Sequence, residues 1–207
     1  AQLNYKRQLV KDALERIGRL EDVKVNPTIG MDDPWSYRNK AQFPVGLVKN
    51  RLAIGFFAAR SHDLIDVQSC PIQHGITAKV NSLVRRFINT YNVPVYDEST
   101  HKGIIRHVVT RVGFKSNQLM VIIVTKGDLP RKRELVDILR EGIPGITSIV
   151  QNIQNEKTNV ILGKGNITLW GKNHILDAIS DLKFKISPLS FFQVNPIQTK
   201  ILYEKAL

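Results

Sequence analysis

Two apolar hairpins, each followed by an amphipathic helix, constrain the fold of this chain more than any other feature. The hairpins pair β-prone runs that cover residues 41–48, 52–58, 104–114 and 119–125. Polar turns, Lys49-Asn50 and Ser116-Asn117, join the runs of each pair. Helical periodicity follows over residues 72–91 and again over 131–141. No Gly-rich phosphate-binding loop opens either helix. The pattern therefore predicts an α+β fold with a mostly antiparallel sheet and packed helices.

Further elements are predicted on both sides of this body. Apolar positions recur at helical spacing over residues 2–19, and three more β-prone runs cover residues 148–152, 159–162 and 167–170. A last helix begins after Asn195, a side chain that suits the N-cap, with Pro196 at the first helical position. Its apolar stripe consists of Ile197, Ile201, Leu202 and Ala206. We expect that stripe to pack against a further domain.

Charge points to a polyanionic partner. Thirty Lys and Arg residues oppose 18 Asp and Glu residues, a net charge of +12. Such a surplus favours phosphate contacts that do not read sequence, although it also suits a merely solvated surface. There is no long apolar run or apolar signal-peptide core, so no membrane span is expected. The single cysteine fits a reducing compartment, and we expect a cytoplasmic protein.

Several ordered blocks resemble the RNA uracil-5-methyltransferase family. They cover residues 37–43, 55–57, 66–72 and 159–163, and the motif Phe191-x-Gln193-Val194-Asn195-x-x-Gln198. The opening stretch, residues 2–8, resembles the ribosomal RNA enzymes more than the transfer RNA enzymes. The resemblance implies S-adenosylmethionine-dependent formation of 5-methyluridine in 23S ribosomal RNA, with no obligate protein partner.

The same resemblance implies a division into three parts. Residues 1–27 would form a helix that packs on a Rossmann-like methyltransferase domain absent from the chain. Residues 28–186 would form the central RNA-binding domain, and residues 187–207 would begin the methyltransferase domain. The two flanking helices would then belong to that absent domain.

Two residues near the last helix match family positions with a role in the reaction. Gln193 matches a glutamine that contacts S-adenosylmethionine, and Phe191 matches an aromatic residue near the flipped base. A side-chain amide can donate and accept hydrogen bonds without adding charge, and an aromatic ring can stack on a base. The structural alternatives are a glutamine bonded to backbone and a core aromatic.

Cys70 has three possible roles. It could be a nucleophile, but no base or cofactor motif surrounds it in sequence, and it could also be a small buried residue. In the family, the matching cysteine is the last of four ligands of a 4Fe–4S cluster. One thiolate cannot hold such a cluster. We therefore expect a free thiol here, with cluster binding a property of the longer parent protein alone.

Six basic residues are candidates for RNA contact because they lie on predicted strands or adjoining loops. They are Arg38, Lys40, Arg60, His62, Arg106 and Arg111. Cations on adjacent strands can follow a phosphate backbone and fix its register. Each could equally be solvated, but Arg38 and Lys40 also lie in a block that resembles the family.

Three other functions remain open. A transfer RNA uracil-5-methyltransferase would share the same blocks. A non-catalytic basic RNA-binding module should bury Ile197, Ile201 and Leu202 within itself. A protein–protein adaptor should bind its partner with little dependence on salt, whereas RNA affinity falls steeply as salt rises.

We expect the 207-residue polypeptide alone to transfer no methyl group. In the family, the glycine loop, the nucleophilic cysteine and the glutamate base lie downstream of the Gln193 motif. The measurement is transfer of tritiated methyl groups from S-adenosylmethionine to ribosomal RNA. Turnover above a protein-free control would refute this expectation.

Overall fold

The computed structural model describes residues 1–207, which form two compact units, Ala1–Pro34 and Trp35–Leu207. The smaller unit is built on helix α1 (Gln2–Asp12), which continues as a π-helical turn over Ala13–Ile17. The Nε atom of Arg7 donates to the Val25 carbonyl at 2.8 Å, which links the helix to the extended segment after it. The helix predicted for residues 2–19 is confirmed.

A seven-stranded sheet is the frame of the larger unit. Its strands are β1 (Lys40–Val48), β2 (Arg51–Phe57), β3 (Leu64–Asp66), β4 (Ile105–Val112), β5 (Leu119–Thr125), β6 (Ser148–Ile153) and β7 (Gly165–Gly171). Their order is β3-β2-β1-β4-β5-β6-β7. Only β5 and β6 pair in parallel, because helix α3 (Lys132–Gly142) crosses between them. The α+β class is confirmed, with a mixed sheet.

The two faces of the sheet are covered differently. Helix α2 (Ile76–Tyr91) and α3 pack on one face, which we call the helix-covered face, around the fully buried Phe87. A two-stranded hairpin, β8 (Ile175–Ile179) and β9 (Leu182–Ile186), packs on the other, the hairpin-covered face. Strand β4 is buried along its whole length because it lies between both layers.

The two predicted hairpins are confirmed, and the first shows why its turn residues matter. Lys49 and Asn50 both adopt positive φ angles, 50° and 61°. Two such residues form the two-residue turn whose twist matches paired strands, and asparagine tolerates that conformation well. The register of β1 and β2 follows from this turn, with Val48 opposite Arg51.

Helix α2 begins four residues later than predicted, at Ile76. Residues before it are used for pairing instead. The backbone N–H of Arg38 donates to the Ile72 carbonyl at 3.0 Å, and the N–H of His74 donates to the Arg38 carbonyl at 3.3 Å. Residues 72–74 thus form an isolated parallel bridge with Arg38, and they cannot at the same time close helical hydrogen bonds.

The strand predicted for residues 159–162 was wrong. Side-chain amides take up the backbone groups of this segment: Asn152 Nδ2 donates to Gly163 O at 2.8 Å, and Gln154 Nε2 donates to Val160 O at 3.0 Å. Ile161 and Leu162 pack on the hairpin-covered face from an irregular loop. Apolar periodicity alone does not separate such a loop from a strand.

The last helix, α4 (Pro196–Ala206), begins as predicted. The Asn195 side chain accepts a hydrogen bond from the Gln198 N–H at 3.0 Å, so it caps the helix. Of the predicted stripe, Ile197 and Leu202 are 52% and 60% exposed. No helix in the chain combines the length and the apolar character needed to cross a membrane.

Gly55→Ala should destabilise the larger unit by about 1–3 kcal/mol, the usual cost of overpacking. A Cβ atom at Gly55 would lie 1.8 Å from the Ile65 carbonyl oxygen of the neighbouring strand. Urea unfolding of the purified chain measures the change. Gly75→Ala is the matched control, since a Cβ there meets nothing within 4 Å. Equal stability of the two variants would contradict the prediction.

Candidate nucleic-acid interface

Asn39 holds together three segments that are distant in sequence. Its side-chain Nδ2 donates to the Gln193 carbonyl at 2.9 Å, and its N–H donates to the Val194 carbonyl at 3.0 Å. Its own carbonyl accepts from the Val112 N–H at 2.8 Å. The start of β1 therefore meets the end of β4 and the segment before α4. We call this meeting point the junction.

The edge of the junction contains Arg38 and Cys70. Arg38 is half-buried and pairs through its backbone with the segment around Gln73. The Cys70 carbonyl accepts from the Gln73 N–H at 3.1 Å, so its loop adjoins the same edge. The Cys70 thiol is half-buried and free.

Three cations converge at the junction. Lys40 lies opposite Arg111 in the β1–β4 register, and Arg38 lies two residues before Lys40. Burial lowers the pKa of Lys40, and the charges of Arg111 and then Arg38 lower it further. None of the three forms an ion pair. An uncompensated positive cluster of this kind attracts anions.

Arg111 fixes the segment that follows β9. Its Nη2 atom donates to the carbonyls of Pro188 and Ser190, at 3.0 and 2.6 Å. Arg111 is only 4% exposed, and burial lowers its pKa to about 10. The predicted surface role of Arg111 therefore needs correction, because its guanidinium group is engaged inside the protein.

The anchored segment turns Phe191 outward and Phe192 inward. The Phe192 ring packs against Phe184, with 5.4 Å between ring centroids, whereas Phe191 is 84% exposed. The core position is thus taken by Phe192. Gln193 is half-buried; Asn39 bonds its carbonyl, and its side-chain amide stays unengaged.

The other predicted basic residues lie elsewhere. Arg60 is exposed in the loop after β2 and has a positive φ of 63°. His62, also exposed, pairs with Glu98 at 3.0 Å between Nδ1 and Oε2. Arg106 lies five residues before Arg111 on β4, so about 17 Å separates their backbones at ~3.4 Å per residue. The structure therefore does not bring all six candidates together.

Arg106 is a second buried arginine with an internal function, so it too is corrected. It donates to the carbonyls of Gln154 and Glu156 through Nη1, and to that of Thr158 through Nη2, at 2.7–3.1 Å. Its guanidinium carbon lies 4.3 Å from the centre of the Tyr96 ring. With 3% exposure, it holds the 154–158 loop instead of facing solvent.

Sequence reasoning missed two buried polar residues. Asp177 accepts hydrogen bonds from the Phe114 and Lys115 N–H groups, at 3.1 and 2.9 Å, and so fixes the β4–β5 turn. His107 is 7% exposed, and its Nδ1 atom has no hydrogen-bond partner. Burial lowers the pKa of His107 to about 4, and the Arg106 charge contributes. An alternating apolar strand gives no signal for either role.

Two cofactors are expected from the family resemblance, S-adenosylmethionine and a 4Fe–4S cluster, and the residues of this chain do not fit both. The chain contains one cysteine, and no group of three or more His, Cys, Asp or Glu side chains could hold a metal ion. A 4Fe–4S cluster needs four thiolates, so these residues do not fit it. Gln193 offers one free amide for S-adenosylmethionine, which alone is not a binding site.

Comparison with known proteins gives a consistent result. The chain is 51% identical over 207 residues to proteins described as uncharacterized RNA methyltransferases from Clostridium tetani and Caldanaerobacter subterraneus. It resembles the crystal structure of Pyrococcus abyssi tRNA (uracil-54, C5)-methyltransferase in complex with S-adenosyl-L-homocysteine. That likeness has a TM-score of 0.76 and 26% identity, and covers 99% of this chain and 47% of the other. No family model matches.

The chain spans about half the length of these relatives. All of it aligns, but it covers 45% and 46% of the two bacterial proteins. These similarities support the RNA methyltransferase family, and a fold shared with one half of a uracil-C5 enzyme.

The buried neutral His107 should make the protein less stable in mild acid. Its pKa is about 4 when folded and near 6.5 when unfolded, so the unfolded chain binds more protons between these values. Stability is therefore lost as pH falls through this window. We expect a loss from this residue of about 2 kcal/mol between pH 7 and pH 5. Urea unfolding at both pH values measures it.

His107→Gln should remove that part of the acid sensitivity. His62→Gln is the matched control, because His62 is 69% exposed in its side chain. If His107→Gln kept the wild-type difference between pH 7 and pH 5, the assignment would be wrong.

Proposed function

We propose that this chain is the RNA-gripping part of an S-adenosylmethionine-dependent RNA uracil-5-methyltransferase that makes 5-methyluridine in 23S ribosomal RNA. One observation carries the proposal. Three cations without an ion-pair partner, Arg38, Lys40 and the internally bonded Arg111, converge beside the exposed Phe191 ring and the free Gln193 amide.

The charges at the junction favour a phosphate backbone as ligand. Like charges raise each other's free energy, and here no carboxylate offsets them. A phosphate group placed between Arg38 and Lys40 would relieve this repulsion. Arg111 would add its field from below the surface without direct contact, because it is buried and its Nη2 atom bonds the Pro188 and Ser190 carbonyls.

The exposed ring of Phe191 adds a surface on which a base can stack. An exposed phenylalanine costs hydration free energy, but stacking on an unpaired base recovers it at about 1–3 kcal/mol per base. Phe191 adjoins the cations through the Arg111–Ser190 hydrogen bond, so one strand of RNA could contact both. Gln193 lies two residues farther along and would face the cofactor in the complete enzyme.

Other observations support a longer catalytic protein. The exposed apolar residues of α4, Ile197 and Leu202, suit cover by a further domain. The relatives are about twice as long as this chain. We therefore keep the division proposed from sequence, with residues 28–186 as the RNA-binding part and residues 1–27 and 187–207 packing on a methyltransferase domain.

The interface proposed here is smaller than the set of six basic residues. It includes Arg38 and Lys40, and leaves out the internally bonded Arg106. Arg60 and His62 lie at the opposite end of the β1–β4 pair and would contact RNA only if the strand continued across the surface.

Two classes of RNA, ribosomal and transfer RNA, are candidates for the substrate. The resemblance of residues 2–8 favours ribosomal RNA, whereas the structural neighbour is a transfer RNA enzyme by its own description. Competition of unmodified 23S ribosomal RNA fragments and unmodified transfer RNA for the purified chain discriminates between them. We expect the ribosomal fragments to compete better; stronger competition by transfer RNA would reverse the assignment.

Lys40→Ala and Arg38→Ala should each weaken RNA binding and reduce its dependence on salt. Loss of one phosphate contact lowers the slope of log affinity against log salt by about 0.7 for single strands. Fluorescence anisotropy of a labelled RNA fragment over a salt series measures both quantities.

Lys79→Ala is the matched control for these variants. Lys79 is an exposed lysine on α2, which packs on the helix-covered face, away from the junction. If Lys79→Ala changed the salt slope as much as Lys40→Ala, the binding surface would not be the junction. Absence of RNA binding would favour the adaptor function, whose protein partner should bind with little dependence on salt.

A further inference from the structure

A cavity of about 360 Å³ opens at the end of the β1–β2 hairpin that lies away from the junction. Its residues come from β1, β2, the loop after β2, β3, the loop before β4, and β4 itself. The lining includes Leu47, Phe57, Tyr96, Glu98, Arg106 and His107. The cavity is separated from the junction by about four residues of β4, roughly 14 Å. Nothing in the proposed function uses it.

Two buried polar atoms of the lining residues are without partners. Nδ1 of His107 and Nε of Arg106 are both inaccessible to solvent and form no hydrogen bond. Leaving such an atom unpaired costs about 1–3 kcal/mol, so native proteins rarely keep one without a reason. Both residues line the cavity through other atoms, and a bound molecule with polar edges can supply the missing partners once the side chains turn toward it.

The rest of the lining is suited to a flat ring. Leu47 and Phe57 provide apolar surface, and Tyr96 lies under the Arg106 guanidinium at 4.3 Å. A volume of 360 Å³ lies at the small end of ligand sites, which span about 300–1,000 Å³. The carboxylate of Glu98 opposes an anion here. A neutral heterocycle with donor and acceptor edges fits better than a phosphate.

An adjoining cavity is instead suited to a negatively charged group. It has a volume of about 340 Å³, shares Tyr96, Glu98 and Arg106 with the first, and adds Lys157. Burial lowers the pKa of His101 nearby, and the positive charges of Lys126, Arg106 and Lys157 lower it further. Glu98 borders both cavities, but only the second is lined by a lysine, so a phosphate is accommodated on the Lys157 side and a neutral base on the His107 side. We call the two cavities together the cleft.

We propose that the cleft holds one unpaired RNA nucleotide, with its base in the cavity beside His107 and its phosphate toward Lys157. This inference rests on the proposed function for the source of the nucleotide, since it makes RNA the ligand. It adds a second point of attachment at the far end of the sheet from the junction. An RNA strand that contacts both the junction and the cleft would have to span the part of β4 that lies between them.

Leu47→Trp tests the proposal by filling the mouth of the first cavity. Leu47 is 61% exposed, so a larger side chain is compatible with folding. We expect about a tenfold loss of affinity for a fluorescein-labelled single-stranded RNA of about 12 nucleotides. Val48→Trp is the matched control, because the next residue of a strand points to the other face and Val48 lines a different cavity. It should change affinity by less than about twofold.

The imidazole signals of His107 give a second, independent readout. In histidine-labelled wild-type protein, the His107 resonances should shift when the RNA is added, and should shift less with an RNA of the same length that lacks bases. Unchanged affinity of Leu47→Trp together with unmoved His107 signals would overturn the proposal.

The two proposals fail in different ways. If Lys40→Ala weakens RNA binding while Leu47→Trp and the His107 signals do not respond, the junction stands and the cleft is overturned. If wild-type protein binds no RNA, millimolar adenosine and cytidine monophosphates replace it as probes. A His107 shift with either nucleotide then supports the cleft without the proposed function, and no shift refutes it.

Discussion

Two buried arginines on strand β4 determine how the hairpin-covered side of this protein is arranged. Arg106 binds three carbonyls of the 154–158 loop, and Arg111 binds two carbonyls of the 188–190 segment. Hydrogen bonds from a charged donor contribute about 1.5–3 kcal/mol each, and the planar guanidinium can make several at once. Two irregular segments thereby acquire fixed positions without regular secondary structure. The candidate junction and the cleft each lie next to one of these arginines.

The junction depends on this arrangement more than on any local motif. Arg111 anchors the segment that carries Phe191, and Asn39 binds the same segment from β1. The two contacts bring an aromatic ring and an amide beside Arg38 and Lys40, although about 150 residues separate them in sequence. A surface with charge, an aromatic ring and a free amide is then available to one nucleic-acid strand. The charge alone would give binding, and the anchored segment adds orientation.

Much of the fold could be predicted from sequence because its signals are local. The Lys49-Asn50 turn fixes its hairpin. Asn195 caps α4 by accepting a hydrogen bond from the N–H of Gln198, three residues later. The error at residues 159–162 arose because side chains replace backbone pairing there. Residues 159–162 look like a strand, but Asn152 and Gln154 bind their backbone.

The candidate site could be predicted only where its residues have a local sequence signal. Arg38 and Lys40 were selected by alternation and by a block that resembles the family. Arg106 and Arg111 look like surface cations because a sequence shows charge without burial. Their carbonyl partners lie 48 to 79 residues away, and no spacing rule connects them. The unpaired His107 is invisible for the same reason, since an orphaned atom is a property of the packed interior.

The hydrogen bond from Asn39 to Gln193 closes a loop of 154 residues. Hairpins such as β1–β2 form from neighbours in the chain, whereas a contact this distant has a large loop-closure cost and forms late. During synthesis the sheet can assemble from its first strands long before residue 193 has left the ribosome. The positive cluster would therefore form early, when β1 pairs with β4. It would acquire its aromatic and amide neighbours only when the last segment docks, so a nascent chain would bind RNA by charge alone, without orienting it.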